Sequence, residues 1–234
     1  LPRSPNFDRF YQDLKPLLMS HEEYQYIYRV NCGGDLYVDH YGQRWEADRA
    51  KKEGLIWGSI SWTDDYEEII PYQASQRYTN TPIKGTKDWD LFGTFRYGRH
   101  KLSYEFPLPD GEYRVELYFV EPWYGTGGSV DCEGYRIFDV AINDSVYIDD
   151  LDIWAEAGHN VAFKQVILAK VEGGSMKISF PEVKAGQAVI SAIAIGTKNN
   201  DIQPQIPTSS IDWSWKNIEK VVKTPLEVLP EGKE

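Results

Sequence analysis

From residue 24 to residue 198 the chain is a succession of short runs that alternate apolar and polar side chains, divided by turn residues rather than by helices. Tyr24, Tyr26, Tyr28 and Val30 alternate with Gln25, Ile27 and Arg29, and this run leads into Asn31-Cys32-Gly33-Gly34. Further strand-like runs occupy 101–106, 113–121, 135–142, 161–171, 175–180 and 188–195. Pro109-Asp110-Gly111, Asn143-Asp144 and Gly173-Gly174 supply turn chemistry between them. Serial strands of this kind predict an all-β fold, an antiparallel jelly-roll β-sandwich with short flanking helices, and exclude a doubly wound α/β nucleotide fold. Between residues 45 and 98 the alternation weakens, while Trp57, Trp62, Tyr66, Tyr72, Tyr78 and Trp89 are spread through it. So long a stretch without regular pattern is expected to be functional or to pack as a cap over one end of the sandwich.

Both flanks read differently. In 1–23, Phe7, Phe10, Tyr11, Leu14 and Leu17 or Leu18 recur at helical spacing behind a capping Asn6, and Pro16 weakens the second half. In 199–234, four prolines bracket 210–223, where Ile211, Trp215, Ile218 and Val222 mark one helical face and Ser209 with Asp212 resembles a capping box. The expected organisation is an extension over 1–23, a β-sandwich over 24–198 and a Pro-containing tail over 199–234. The opening at Leu1, with no leader pattern, leads to the expectation of a processed leader or a longer parent chain.

With 36 acidic against 25 basic residues the formal charge is −11, which argues against nucleic acid and against anionic membrane surfaces as partners. No run approaches the roughly 20 apolar residues of a spanning helix, so membrane insertion is not expected. Aromatic residues make up 14 % of a chain whose mean hydropathy is −0.51. Tyr and Trp join an apolar ring to a polar tip and suit surfaces that meet amphipathic ligands.

Catalytic signatures are missing. His21, His40, His100 and His159 are scattered, and there is neither a nucleophile elbow nor a phosphate-cradling loop. Cys32 and Cys132 permit at most one bridge and give no metal-ligand spacing; Cys32 reads as a small buried residue. No cofactor is expected, although the grouped oxygens of Asp149, Asp150 and Asp152 are of the type that a structural calcium ion takes. Arg96 and Asp139, each among apolar residues, are expected to form a partly buried pair.

Several short motifs in fixed order resemble the malectin family of carbohydrate-binding β-sandwich modules. They are Asn31-Cys32-Gly33-Gly34 followed by Asp39, Gly42, Trp45 and Asp48; Leu91-Phe92-Gly93-Thr94-Phe95-Arg96-Tyr97-Gly98; Tyr104-Glu105-Phe106; and Gly111-Glu112-Tyr113-Arg114-Val115. Leu117-Tyr118-Phe119-Val120-Glu121, Arg136-Ile137-Phe138-Asp139-Val140, Asp150-Leu151-Asp152-Ile153 with Ala157-Gly158, and Ile190-Ser191-Ala192-Ile193 complete the series. The resemblance runs from about residue 26 to 196 and leaves the two flanks uncovered.

That resemblance implies non-catalytic oligosaccharide or polysaccharide binding through an aromatic loop. It also implies an extracellular or periplasmic, non-cytosolic location and service as an accessory module of a glycoside hydrolase catalytic domain. In Glu121-Pro122-Trp123-Tyr124-Gly125-Thr126-Gly127-Gly128 a strand ends at proline and glycines follow two large aromatics, which presents their faces to solvent. The family's aromatic pair corresponds to Trp123 and Tyr124; alignment adds Tyr97 and Tyr66. The family's carboxylate before the last strand has no Asp counterpart in Glu182-Val183-Lys184-Ala185-Gly186-Gln187, which leaves Glu182 or Gln187 as the hydroxyl acceptor. A protein-interaction domain that has lost sugar binding is the alternative, and a glycosidase with paired carboxylates is a further one.

Overall fold

A computed structural model describes residues 14–52, 56–66, 76–128 and 130–203. Tyr72, most of the first expected helix, and the second with Trp213 and Trp215 lie outside them. Two six-stranded sheets face each other, with a smaller one at one end. The first sheet has the order β11 (Phe163–Val171), β8 (Gly111–Phe119), β15 (Ala192–Thr197), β1 (Gln25–Asn31), β3 (Arg44–Ala47) and β2 (Tyr37–Val38). The second runs β10 (Ser145–Leu151), β9 (Ile137–Ile142), β12 (Ser175–Ser179), β7 (Ser103–Pro107) and β4 (Gly58–Ile60), and β13 (Val183–Ala185) also pairs with β9. The third joins β14 (Ala188–Ile190), β6 (Thr94–Gly98) and β5 (Gln76–Tyr78). All pairs are antiparallel except β1 with β3. The all-β sandwich expectation holds.

Alternation explains the main core. Tyr113, Val115, Leu117 and Phe119 of β8 meet Tyr104 and Phe106 of β7, Phe138 and Val140 of β9, and Met176 and Ile178 of β12 between the sheets. The opposite face of the first sheet is also covered. Tyr26, Tyr118, Ala192 and Ala194 pack there with Leu18, Trp45, Ile83, Leu91 and Phe92 in a second apolar cluster. Burial on both faces is why 115–120 and 192–197 are continuously buried instead of alternating. Within this second layer the fully buried Glu116 carboxylate accepts from Tyr26 and Tyr118 hydroxyls and from Arg114.

The stretch 45–98 is more regular than its sequence suggests. It contains β3 to β6, a 3-10 turn at Trp62–Asp65 capped by Ser61, and α1 (Trp89–Gly93), which covers the first sheet with Leu91 and Phe92. The run 188–195 splits at Ser191 into β14 and β15, which belong to different sheets. The strand β10 carries Asp149 and Asp150 of the acidic run. Gly33 has φ +74, and a Cβ on Gly34 would stand 2.5 Å from Thr94 Oγ1, so both glycines are required at the strand's end.

Buried ions pair differently from expectation. Arg96 bonds Asp48, which also receives the Gly33 N–H, whereas Asp139 accepts the Asp150 N–H at 2.9 Å. The predicted Arg96–Asp139 pair is therefore corrected: the β6 and β9 strands that carry them are in different sheets. Cys32 and Cys132 are both buried, free thiols, so no bridge joins them. Among the described residues, no helix is long and apolar enough to cross a membrane.

Candidate functional site

Past the end of β8 the chain must leave the sheet, and Glu121, two residues beyond the strand, is fully buried. A buried carboxylate needs a counter-charge and hydrogen bonds. Glu121 obtains them from its own loop and from the start of the next strand. Its Oε1 accepts the N–H groups of Trp123 and Tyr124, each at 3.0 Å, and Arg136 Nη2 at 3.2 Å, while Arg136 Nε donates to Oε2. Arg136 Nη1 donates to the Gln187 carbonyl, tying in the segment that precedes β14. Thus a wholly buried ion pair holds three loops together, and both of its members are 0 % exposed.

Above that pair lie the aromatic rings. The Arg136 guanidinium carbon is 5.2 Å from the Trp123 ring centroid and 5.1 Å from that of Tyr124. Trp123 rests edge-to-face on Phe95 at 5.6 Å and on Tyr97 at 5.7 Å, and stays 37 % exposed. Tyr124 meets Tyr135 at 5.6 Å and 82°, and Tyr135 is 52 % exposed. Trp123 and Tyr124 thus flank Arg136, Tyr135 lies against Tyr124 and Tyr97 against Trp123; Trp123 and Tyr135 are exposed and Tyr124 is half-buried.

Glycines shape the loop. Gly125 has φ +85, and a Cβ there would stand 2.5 Å from Trp154 Nε1, so the backbone lies directly on that indole. Trp154 is on α2 (Ile153–Ala157), whose N-cap Asp152 accepts Trp154 and Ala155 N–H groups and, through its other oxygen, the Gly134 N–H. At Gly186, φ is +62, and a Cβ would approach the Tyr135 carbonyl to 2.8 Å and the Tyr124 hydroxyl to 3.3 Å.

Of the six residues singled out in the sequence, Trp123, Tyr124 and Tyr97 are brought together, and Gln187 joins them through its carbonyl. Pairing of Tyr97 with Val189 is what sets the 186–187 segment beside the rings. Tyr66 is 55 % exposed and packs on Trp62, with no contact to the Trp123 group. Glu182 is exposed at the far end of β13, where its carbonyl accepts the Asp139 N–H. It does not join the rings.

Glu121, Arg136 and Tyr135 escaped sequence reasoning. The available signal was a charged residue at the edge of each of two apolar strands, Glu121 after Val120 and Arg136 before Ile137. Carboxylate oxygens of Asp139, Asp149 and Asp150 lie within 4.8 Å of one another. Lys184 already pairs with Asp150 at 2.5 Å, and Asp152 stands apart as the cap of α2. The grouping of Asp152 with Asp149 and Asp150 is thus corrected.

Residues 26–203 match the family model described as Malectin domain. Malectin of Mus musculus is 28 % identical over 153 residues, which cover 65 % of this chain and 45 % of the relative. Malectin-A of Xenopus laevis is 26 % identical over the same length, 48 % of its own. The chain thus spans about half the length of the curated relatives it matches. Among solved structures, the β-glucuronidase of Bacteroides uniformis superposes with a TM-score of 0.58 at 22 % identity, over 72 % of this chain and 18 % of that one. The plant receptor-like kinase FER does so with 0.56 at 16 % identity, over 78 % and 54 %. At these identities the likeness is one of fold.

Proposed function

The chain belongs to the malectin domain family, and from that premise we propose that it is a non-catalytic carbohydrate-binding module that holds oligosaccharides on the rings of Trp123, Tyr124 and Tyr135. One observation carries the reading: the exposed Trp123 ring and the half-buried Tyr124 ring are held over the fully buried Glu121–Arg136 pair. A pyranose ring has a face of C–H groups and an equator of hydroxyls, so it needs a flat apolar support with a few directed polar groups. We assign the polar part of the contact to the phenol hydroxyls of Tyr97, Tyr124 and Tyr135 and to Gln187. Neither Tyr66 nor Glu182 belongs to this set. Because a shallow platform buries little area, affinity is on the order of micromolar to millimolar.

Turnover is disfavoured by the same geometry. Glycoside hydrolysis needs two carboxylates facing a cleft, one of them holding a proton to give. Glu121, beneath the rings, has both oxygens committed to Arg136 and backbone amides. The proposed role is therefore accessory to a glycoside hydrolase, outside the cytosol. Likeness to a β-glucuronidase over 18 % of that chain supports the association. The deciding experiment is calorimetric titration with gluco-, galacto- and manno-oligosaccharides. Heat with one class, abolished by Trp123→Ala, supports the proposal; no heat with any class overturns it.

A further inference from the structure

A cleft of about 650 Å³ opens at the other end of β8, lined by Tyr24, Tyr147, Leu168, Asp110, Lys198 and Asn199 among others. Glu112, in its wall, is seven steps along β8 from Phe119, beside the Trp123 loop. At about 3.4 Å per residue the two places are on the order of 25 Å apart. The volume is that of a small-molecule site rather than of a surface dimple.

Its lining combines apolar faces with uncommitted polar groups. Tyr147 is 43 % and Leu168 66 % exposed, so one wall is uncovered and apolar. Tyr24 packs closely at Gly196, where a Cβ would stand 3.2 Å from Tyr24 Cβ. Lys198 is 5.1 Å and Arg114 5.6 Å from the Tyr24 ring centroid, which fixes that ring. Asp110 Oδ1 accepts the Gly174 N–H at 3.0 Å and Asn199 Oδ1 the Asp201 N–H at 2.9 Å. The second Asp110 oxygen and the Asn199 amide N–H groups remain for a ligand. Lys170 is already paired with Glu172 at 2.6 Å and Lys198 with Glu23 at 2.7 Å, so Asp110 and Glu112 leave the wall acidic, and an anionic ligand is repelled.

We propose that this cleft is a second saccharide site, taking a neutral pyranoside whose C–H face rests on Tyr147 and Leu168 while its hydroxyls reach Asp110 and Asn199. The acidic wall rejects anions while its carboxylates accept hydrogen bonds from hydroxyls, and the amphipathic ring follows from the pairing of apolar and polar linings. Two sites at opposite ends of one sandwich let a single module grip a polysaccharide at two points, which raises avidity through effective concentration. The inference rests on the carbohydrate reading above, and its test separates the two.

Full-length protein is titrated with maltotetraose, galactotetraose and mannotetraose while tyrosine-ring and leucine-methyl resonances are followed by NMR. The expected result is saturable movement of Tyr147 and Leu168 signals with one probe, unchanged in Trp123→Ala. In Tyr147→Ala/Leu168→Ser, affinity at the cleft falls about tenfold or more, as loss of a ring contact implies, with the melting temperature retained. Both side chains are exposed, so the fold does not depend on them. Movement confined to the Trp123 loop overturns the second site and leaves the first reading standing. Movement confined to the cleft supports the second site and removes the first. No movement at either place overturns both.

Discussion

Glu121 and Arg136 form an ion pair without solvent access directly beneath the loop that carries Trp123 and Tyr124, and the same carboxylate receives the N–H groups of both residues. The loop therefore needs no helix or strand to hold its rings in place. A preorganised platform loses little side-chain freedom on binding, which matters where each ligand ring buries little area.

Removing one member of that pair leaves the other charged and buried. Arg136→Ala is expected to destabilise the fold by about 3–5 kcal/mol, whereas Glu121→Gln with Arg136→Met, which removes both charges, costs markedly less. Urea denaturation of the three proteins tests this, and equal losses for the single and double variants would contradict it.

Trp123→Ala separates binding from stability. The indole is partly exposed and meets Phe95 and Tyr97 edge-to-face. Its removal is expected to lower stability by no more than about 2 kcal/mol, while weakening oligosaccharide affinity by about tenfold or more. Calorimetry beside thermal melting gives both numbers; unaltered affinity would remove Trp123 from the site.

Gly186→Ala probes the platform from behind. Its φ of +62 disfavours any Cβ, and a methyl group would press on the Tyr135 carbonyl and approach the Tyr124 hydroxyl. Destabilisation of about 1–2 kcal/mol is expected, together with weaker binding although no ligand-facing side chain has changed. Binding equal to that of the unsubstituted protein would show that the two tyrosines tolerate the shift.

Acid stability should carry the mark of Glu116. Burial by itself raises its pKa, but hydrogen bonds from Tyr118, Tyr26 and Arg114 and the charge of Lys164 outweigh burial and hold it below the ordinary 4.5. A carboxyl depressed in the folded state contributes stability that is present in full above about 4.5 and is lost as pH falls from there through the native value. Glu116→Gln should thus be less stable by about 2 kcal/mol at pH 7, with the difference narrowing below pH 4.5. Asp48, whose pKa burial raises despite Arg96, contributes with the opposite sign and cancels in the comparison. Stability curves that stay parallel down to pH 3 would refute the assignment.

Both thiols should be silent in the native protein. Cys32 is fully buried, and burial pushes its thiol well above the usual value, while Cys132 is 4 % exposed. A thiol reagent should titrate neither before denaturation and two after it, with an intact mass that reductant does not change. One disulfide by mass would count against the separated pair.

Much of the fold was legible because period-two alternation is a direct consequence of strand geometry. It failed at particular places for particular reasons. In β1, Tyr26 and Tyr28 are two residues apart and share a phase, yet a bulge between them sends Tyr26 to the outer layer and Tyr28 to the inner core. Only the partner strand, Tyr26 opposite Gly196 and Tyr28 opposite Ile195, imposes that break. Trp123 and Tyr124 were legible in the site because a proline, two aromatics and glycines adjoin in sequence. Tyr135 was not, since its contact to Tyr124 depends on how the intervening loop returns.

Local order of residues was enough to establish short strands, their turns and an aromatic pair at a strand end, because each of these depends on neighbours within a few positions. Choice of partner was beyond it. Arg96 joins Asp48 and Arg136 joins Glu121, although Arg96 with Asp139 looked equally plausible along the chain. Coulombic pairing depends on distance in space, and which carboxylate a buried guanidinium reaches is settled when the sheets stack and exclude water from both. The same stacking created the cleft between Tyr24 and Tyr147, whose walls lie more than a hundred residues apart in the chain.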